Sequence, residues 1–183
     1  MNKRKKTNWL ATIGISLFLM MGVFFAWSLS VGETVISNSG GVVESFHTLA
    51  CESEKVSYPF FTYDNASGRV LRVNAIFKND KLSEVSLNYK LNYNDAKEIE
   101  RSEANNHIAM NNAFKEDGLS VDSFRANYSR LSDGLQLSLY ADVKDLNSVR
   151  EKYFLLDGLN GNYGIDGVKK QINKKGLDCI EKK

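Results

Sequence analysis

Two cysteines are the residues of this 183-residue chain with the most obvious capacity for chemistry. Cys51 stands in TLACESEK and Cys179 in KKGLDCIEKK, almost a whole domain apart. Such a pair suits a lipid-anchor site with a spare thiol, a nucleophile or metal ligand, or the two halves of a disulfide. The absence of a CxxC pattern or a His-rich tract from the sequence disfavours a metal or redox site. A nucleophilic thiol also needs a base, and neither His47 nor His107 lies in a recognisable motif.

Glu103 and His107 form a second candidate, because they lie four residues apart on the same face of a predicted helix. They could act as a base and the group that orients it, or offer two ligands to a metal ion. A salt-linked pair is the plainer interpretation, and no HExxH spacing supplies a third metal ligand. We therefore expect no metal, no cofactor and no enzymatic activity. Asp142 and Asp145 flank a strand-to-helix connection, where acidic residues commonly cap the helix that follows.

An aromatic stretch, SYPFFTYDNASG, surrounds the single proline of the chain. It could seal one edge of the core, or form an exposed platform for a sugar, a peptide or a partner surface. Pro59 keeps this segment from being a central strand. We predict that any localised function uses this stretch, with at least two of its rings exposed and adjacent. The predicted binding residues are Tyr58, Phe60, Phe61 and Tyr63.

The N-terminus predicts a membrane span, with the lipid bilayer as its partner. MNKRKK is followed by a run from Trp9 to Val31 without a charged residue, long enough to cross about 30 Å of hydrocarbon. The positive-inside rule places the N-terminus in the cytoplasm and the rest outside. A cleavable signal peptide ending near Leu29 is the alternative, and it exports the same residues. The predicted parts are a basic cytoplasmic tail (1–8), a transmembrane helix (9–31), a flexible tether (32–41) and an extracytoplasmic domain (42–183).

The predicted export affects the expected state of the two cysteines. Lipidation at Cys51 is disfavoured, because this residue lies some twenty positions beyond the apolar run and Thr48 stands where a lipobox has an aliphatic residue. An oxidising compartment and an even cysteine count favour a Cys51–Cys179 disulfide, with free thiols as the alternative. A disulfide would bring the first and last elements of the domain together, with Cα atoms about 4.4 to 6.8 Å apart.

The charge of the exported part disfavours nucleic acid as a partner. Four of the 24 Lys and Arg residues lie in MNKRKK, and all 22 acidic residues lie beyond residue 32. From residue 33 onward, 20 cationic side chains therefore stand against 22 acidic ones, and no basic stripe is present.

Hydrophobic periodicity predicts an α+β fold. Alternating apolar residues predict two hairpins, at 69–93 and 123–141, and an earlier strand at 42–51. A helix is predicted between the hairpins at 94–118, with Asn94 as its N-cap, and two shorter helices at 145–156 and 165–176. The glycine-rich segment GLNGNYGIDG is expected to be a mobile loop. The predicted architecture is an antiparallel sheet of two hairpins plus an N-terminal strand, with helices on one face, preceded by the transmembrane helix.

Several stretches together resemble the YehR-like small exported proteins. They are an L-x-C strand near the membrane, the segment AIFKNDKLSEVSLNYKL, one long helix, a second hairpin and a closing helix that ends in KKGLDC. The resemblance covers roughly residues 46–179. It implies a bacterial lipoprotein or single-pass anchored protein with an α+β fold, although this chain has a membrane span in place of a lipobox. It implies no particular activity.

These observations predict a membrane-tethered extracytoplasmic binding or accessory domain of the bacterial cell envelope. The expected partner is an envelope protein or a glycan. The alternative is an envelope hydrolase or modifying enzyme that uses Glu103 and His107.

Overall fold

The computed structural model describes residues 44–182, so the predicted membrane span and the tether lie outside the described residues. Within this range, no helix is long and apolar enough to cross a membrane. The main elements, in chain order, are β1 (Phe46–Ser53), β2 (Gly68–Lys78), β3 (Lys81–Asn92), α1 (Ala96–Glu116), β4 (Asn127–Leu131), β5 (Gly134–Asp142), α2 (Ser148–Glu151), α3 (Ile165–Lys174) and β6 (Asp178–Lys182).

The six strands form one antiparallel sheet in the order β4-β5-β3-β2-β1-β6. Helices cover one face of this sheet, which confirms the predicted α+β class. The two predicted hairpins are β2–β3 and β4–β5, and they meet where β3 pairs with β5. Along each central strand buried apolar residues alternate with partly exposed ones, as a sheet with one covered face requires.

The last strand, β6, was not predicted. It pairs with β1 through five opposed residues, from Thr48 opposite Lys182 to Glu52 opposite Asp178. β1 is therefore an interior strand, with β2 on one side and β6 on the other. The first and last strands of the described domain are neighbours, as the proposed disulfide requires.

Gly134 explains how closely the two hairpins approach each other. A Cβ atom at this position would lie 1.9 Å from the carbonyl oxygen of Leu91, so only glycine fits. The adjacent turn adds a hydrogen bond, because the Tyr93 amide donates to the carbonyl of Asp133 at 2.9 Å.

The long helix α1 lies where it was predicted, but Asn94 is not its N-cap. Asp95 has the extended backbone of a cap, and its carboxylate accepts a hydrogen bond from the Lys97 amide at 2.9 Å. The helix ends before Gly118, whose φ of 68° suits glycine. Its buried stripe is formed by Ile99, Ser102, Asn106, Met110 and Phe114.

The helix predicted at 145–156 is much shorter than expected. Asn147 caps it by accepting from the Val149 and Arg150 amides, and α2 then extends only from Ser148 to Glu151. A 3-10 turn follows and ends at Leu155, whose φ is 61°. Asp142 and Asp145 are therefore not the caps of this helix. Asp142 instead accepts a hydrogen bond from the Arg125 guanidinium at 3.0 Å.

Candidate functional site

The cysteine pair is a disulfide. Cys51 on β1 faces Cys179 on β6 in register, and the two sulfur atoms are bonded. Their Cα atoms lie 4.0 Å apart, below the range predicted from sequence, and the two residues oppose each other directly across adjacent antiparallel strands. On the same pair of strands, the His47 Nδ1 lies 3.1 Å from a carboxylate oxygen of Glu181. Both contacts fasten β6 to the sheet.

The aromatic stretch is mainly part of the core. Tyr58 and Phe61 are 0 % and 4 % exposed, and Phe60 is half-buried against the core. Only Tyr63 is exposed, at 47 %, and the Arg69 guanidinium lies 4.8 Å from its ring centre. The expectation of two exposed, adjacent rings is therefore wrong, and this segment seals the edge of the core.

Two buried polar contacts account for that placement. The Tyr58 hydroxyl donates to the carbonyl of Tyr153 at 3.0 Å, so the phenol satisfies its hydrogen bond inside the protein. Asn106, which is fully buried on α1, accepts from the Thr62 amide at 2.7 Å and donates to the Thr62 carbonyl at 3.0 Å. A third bond joins Asn106 to the Ser102 hydroxyl at 2.9 Å. The aromatic stretch is thus docked on α1 mainly through Asn106, and the Asn65 side-chain amide adds a hydrogen bond to the Glu98 carboxylate at 3.2 Å.

Glu103 and His107 do not converge on a common site. Glu103 lies 3.5 Å from the Arg130 guanidinium on β4, whereas His107 is exposed and its ring packs against Tyr128 at 4.9 Å. The buried stripe of α1 passes through Ser102 and Asn106, so the predicted pair sits at the border of the covered face. Glu103 is paired with Arg130, and the His107 ring has its hydrogen-bond contact with Asn111, whose Nδ2 lies 3.4 Å from the His107 Nδ1, and not with Glu103.

His107 instead lines a shallow groove of about 260 Å³ between α1 and the β4–β5 hairpin. Most of the groove is apolar, and its polar groups are His107, Asn111 and Tyr128. Glu103 is not among its lining residues. A groove of this composition suits contact with an apolar group. Its lining residues are His107, Met110, Asn111, Phe114, Val121, Ala126, Tyr128 and Leu137.

The glycine-rich loop that was expected to be mobile is fastened to a buried acid. Glu151 is 1 % exposed, and its carboxylate accepts from the Tyr163 hydroxyl at 2.7 Å and the Gly161 amide at 3.2 Å. The Asn160 amide donates to the second carboxylate oxygen at 3.4 Å. This carboxylate and the burial of the ring together raise the pKa of Tyr163. Glu151 therefore organises the loop from inside the fold, and sequence reasoning missed it.

The sheet face opposite the helices carries a contiguous set of neutral polar side chains. We call it the polar patch, and it consists of Asn74, Ser86, Asn88, Gln136 and Ser138. In the strand register, Asn74 opposes Ser86 and Asn88 opposes Ser138. The Ser138 hydroxyl donates to the Asn88 Oδ1 at 2.7 Å, and the Gln136 amide donates to the Ser138 Oγ at 3.2 Å.

The alternation of buried and partly exposed residues along β3 puts Ser86 and Asn88 on the outward face. Their composition could have drawn attention to this face, because asparagine is disfavoured in strands and Asn74 and Asn88 lie on the two central strands.

Comparison with known proteins identifies no family for this chain. No protein-family model matches it, and no curated protein matches it. A solved structure titled "NMR structure of the protein from Streptococcus pneumoniae TIGR4" matches 98% of this chain and 98% of its own, with 15% sequence identity and a TM-score of 0.40. At that TM-score the similarity carries no argument about fold or function.

Proposed function

We propose that residues 42–183 form an extracytoplasmic binding or accessory domain of the bacterial cell envelope, tethered to the membrane through residues 9–31. The observation that carries the proposal is the Cys51–Cys179 disulfide, which joins the first and last strands of the described domain. Disulfides persist in exported proteins and are rare in reducing compartments. The long uncharged run before the domain supports the same location.

Binding is favoured over catalysis by the positions of the candidate residues. Glu103 contacts Arg130, while His107 faces a shallow and mainly apolar groove. A hydrolase would need a nucleophile or an activated water between an acid and a base, and these two side chains point to different partners. The partner of such a domain is an envelope protein or a glycan. Membership among the YehR-like exported proteins forms part of the same proposal, and it is supported by the sequence stretches between residues 46 and 179.

Location is tested by cutting the tether from outside the cell. A recognition site for a sequence-specific protease is inserted between residues 32 and 41, and a matched variant carries the same site between residues 2 and 8. Protease added to intact cells should release the domain from the first variant only. The second variant should be cut only after lysis. Release from neither variant in intact cells, or a soluble mature form that starts near Leu29, would contradict the tethered arrangement.

Binding is tested by crosslinking in cells. A photoreactive amino acid placed at exposed Val121, beside the groove, should capture an envelope component, and one at exposed Glu116 serves as the control. Capture at neither position, or equal capture at both, would argue against the groove as the contact surface.

A further inference from the structure

The polar patch has the extent of a short oligosaccharide. It extends across β2, β3 and β5, and neighbouring strands lie about 4.8 Å apart. Along the strands it extends over four residue steps, from the row of Ser86 to the row of Gln136, or about 13 Å. All five side chains are partly exposed. A short oligosaccharide can lie flat on such a surface.

The cations that border the patch are each paired with an acid. Three ion pairs border it: Arg72 with Glu52 at 2.6 Å, Lys90 with Asp133 at 2.9 Å and Arg125 with Asp142 at 3.0 Å. Glu84, on the same face, lies one row beyond Ser86 and opposes Asp142 in register. A neutral centre within paired charges complements an uncharged polar ligand. The bordering cations are paired with acids, so the patch offers a polyanion no cluster of free Lys and Arg side chains.

The chemistry of the side chains fits the hydroxyl groups of a sugar. Asn and Gln amides and the Ser hydroxyl can each donate and accept hydrogen bonds, as adjacent sugar hydroxyls can. The bonds from Ser138 to Asn88 and from Gln136 to Ser138 hold three of the five side chains in place before binding. Within residues 44–182, the Asn88 Nδ2, the Asn74 amide and the Ser86 hydroxyl have no side-chain partner, and these groups are free for a ligand.

Folding alone does not account for the asparagines. Asn74 and Asn88 lie on the two strands that occupy the middle of the sheet, where β-branched residues fit the pleated surface better. Their side chains point away from the helices and contribute nothing to the core. Residues that weaken a central strand without packing into it are expected where function requires their chemistry.

We propose that the polar patch binds an uncharged oligosaccharide. The proposal rests on the proposed function of an envelope binding domain and adds to it a second contact surface, on the sheet face opposite the groove, with a stated ligand class. The Asn74 and Asn88 amides contact adjacent hydroxyls of the sugar, and Gln136 and Ser138 extend the contact toward β5.

The test uses the full-length protein in lipid nanodiscs, which avoids detergents with sugar headgroups. Chitotetraose, cellotetraose and maltotetraose are the uncharged probes, and tetragalacturonate is the acidic counterpart. NMR titration should show that at least one uncharged probe, and not the acidic one, shifts the resonances of the patch residues. In the double variant Asn74→Val and Asn88→Val, the affinity should fall at least about tenfold, a change of about 1.4 kcal/mol.

Thermal unfolding of the double variant distinguishes the loss of the binding site from the loss of the fold. Because valine favours strands, the thermal midpoint of the double variant should equal or exceed that of the wild type. The matched control is Thr48→Val, on the same face of β1 outside the patch, which should bind as the wild type does. The proposal is overturned if no uncharged probe shifts the patch resonances, if the acidic probe binds there equally well, or if the double variant keeps its affinity. A domain that is released from intact cells yet binds none of the probes overturns this inference alone, and leaves the proposed location standing.

Discussion

Removal of the disulfide should cost the domain a large part of its stability. In the chain-entropy account, a crosslink stabilises by restricting the unfolded chain, and the effect grows with the length of the closed loop. The cysteines are 128 residues apart, so the loop-closure expression gives about 5 kcal/mol at 25 °C. Domains of ordinary size have unfolding free energies of about 5 to 15 kcal/mol, so this loss would be at least a third of the total.

The perturbation is the double variant Cys51→Ala and Cys179→Ala, compared with the wild type before and after reduction. Urea unfolding should be followed by circular dichroism or tyrosine fluorescence. Tryptophan fluorescence would not report on the domain, because Trp9 and Trp27, the two tryptophans of the chain, both lie before residue 44. The double variant and the reduced wild type should unfold at the same, much lower urea concentration.

Hydrogen exchange can also test which strand loses stability when the disulfide is removed. β6 is an edge strand that pairs with β1 through five opposed residues, and its outward side chain Ile180 is 67 % exposed. Hydrogen exchange of the amides at 178–182 should therefore accelerate more than that of β3 in the double variant. A loss of less than about 1 kcal/mol, or an unchanged exchange rate in β6, would refute the reasoning from loop closure.

Three further predictions concern buried polar groups. Asn106→Ala should destabilise by about 2 to 4 kcal/mol in urea unfolding, because it leaves the Thr62 amide and carbonyl without their partner, whereas Asn105→Ala, at an exposed neighbour, should change little. Glu151→Gln should destabilise the domain by about 1 to 3 kcal/mol and accelerate hydrogen exchange at the Gly161 amide, because the new side-chain NH₂ group would face a backbone N–H donor. The control is Glu116→Gln at an exposed position, and equal effects of the two substitutions would contradict the role of Glu151. Hydrogen bonds from Lys152 and Tyr153 lower the pKa of Asp117 in the folded state. The ionised Asp117 carboxylate therefore stabilises the fold above pH 3.8, the ordinary aspartate pKa, and this stabilisation is lost as the pH falls through the lower pKa of the folded state. Asp117→Asn should flatten this acid decline in urea midpoints, and an unchanged pH profile would contradict the assignment.

The sheet was predictable where one face is buried and the other is wet. Residues 85–93 alternate strictly, and the structure places Val85, Leu87 and Tyr89 in the core. β6 escaped prediction because DCIEK is short, charged and mainly exposed. Its strand conformation depends on pairing with β1, which is distant in sequence and close only in the folded chain.

The candidate site was harder to predict, because burial depends on contacts that periodicity does not record. The sequence marked Glu103 and His107 by their chemistry, whereas the buried stripe of α1 passes one position away, through Ser102 and Asn106. A single-residue step turns a helix by about 100°, enough to move a side chain from the core to its border. Tyr58 and Phe61 were equally ambiguous, since their burial depends on Asn106 and Tyr153, which lie far along the chain.

The bond between β1 and β6 also governs how the domain would respond to mechanical tension. A force applied between residue 44 and the C-terminus would enter through β1 and leave through β6, and these strands are covalently joined at Cys51 and Cys179. The load therefore bypasses the chain between the two cysteines, which includes β2, β3, the long helix and the second hairpin. Only residues 44–50 and 180–182, outside the crosslink, can extend, so pulling on the two ends would detach at most those parts of β1 and β6, and β2, β3 and the second hairpin would stay paired until the disulfide itself is reduced.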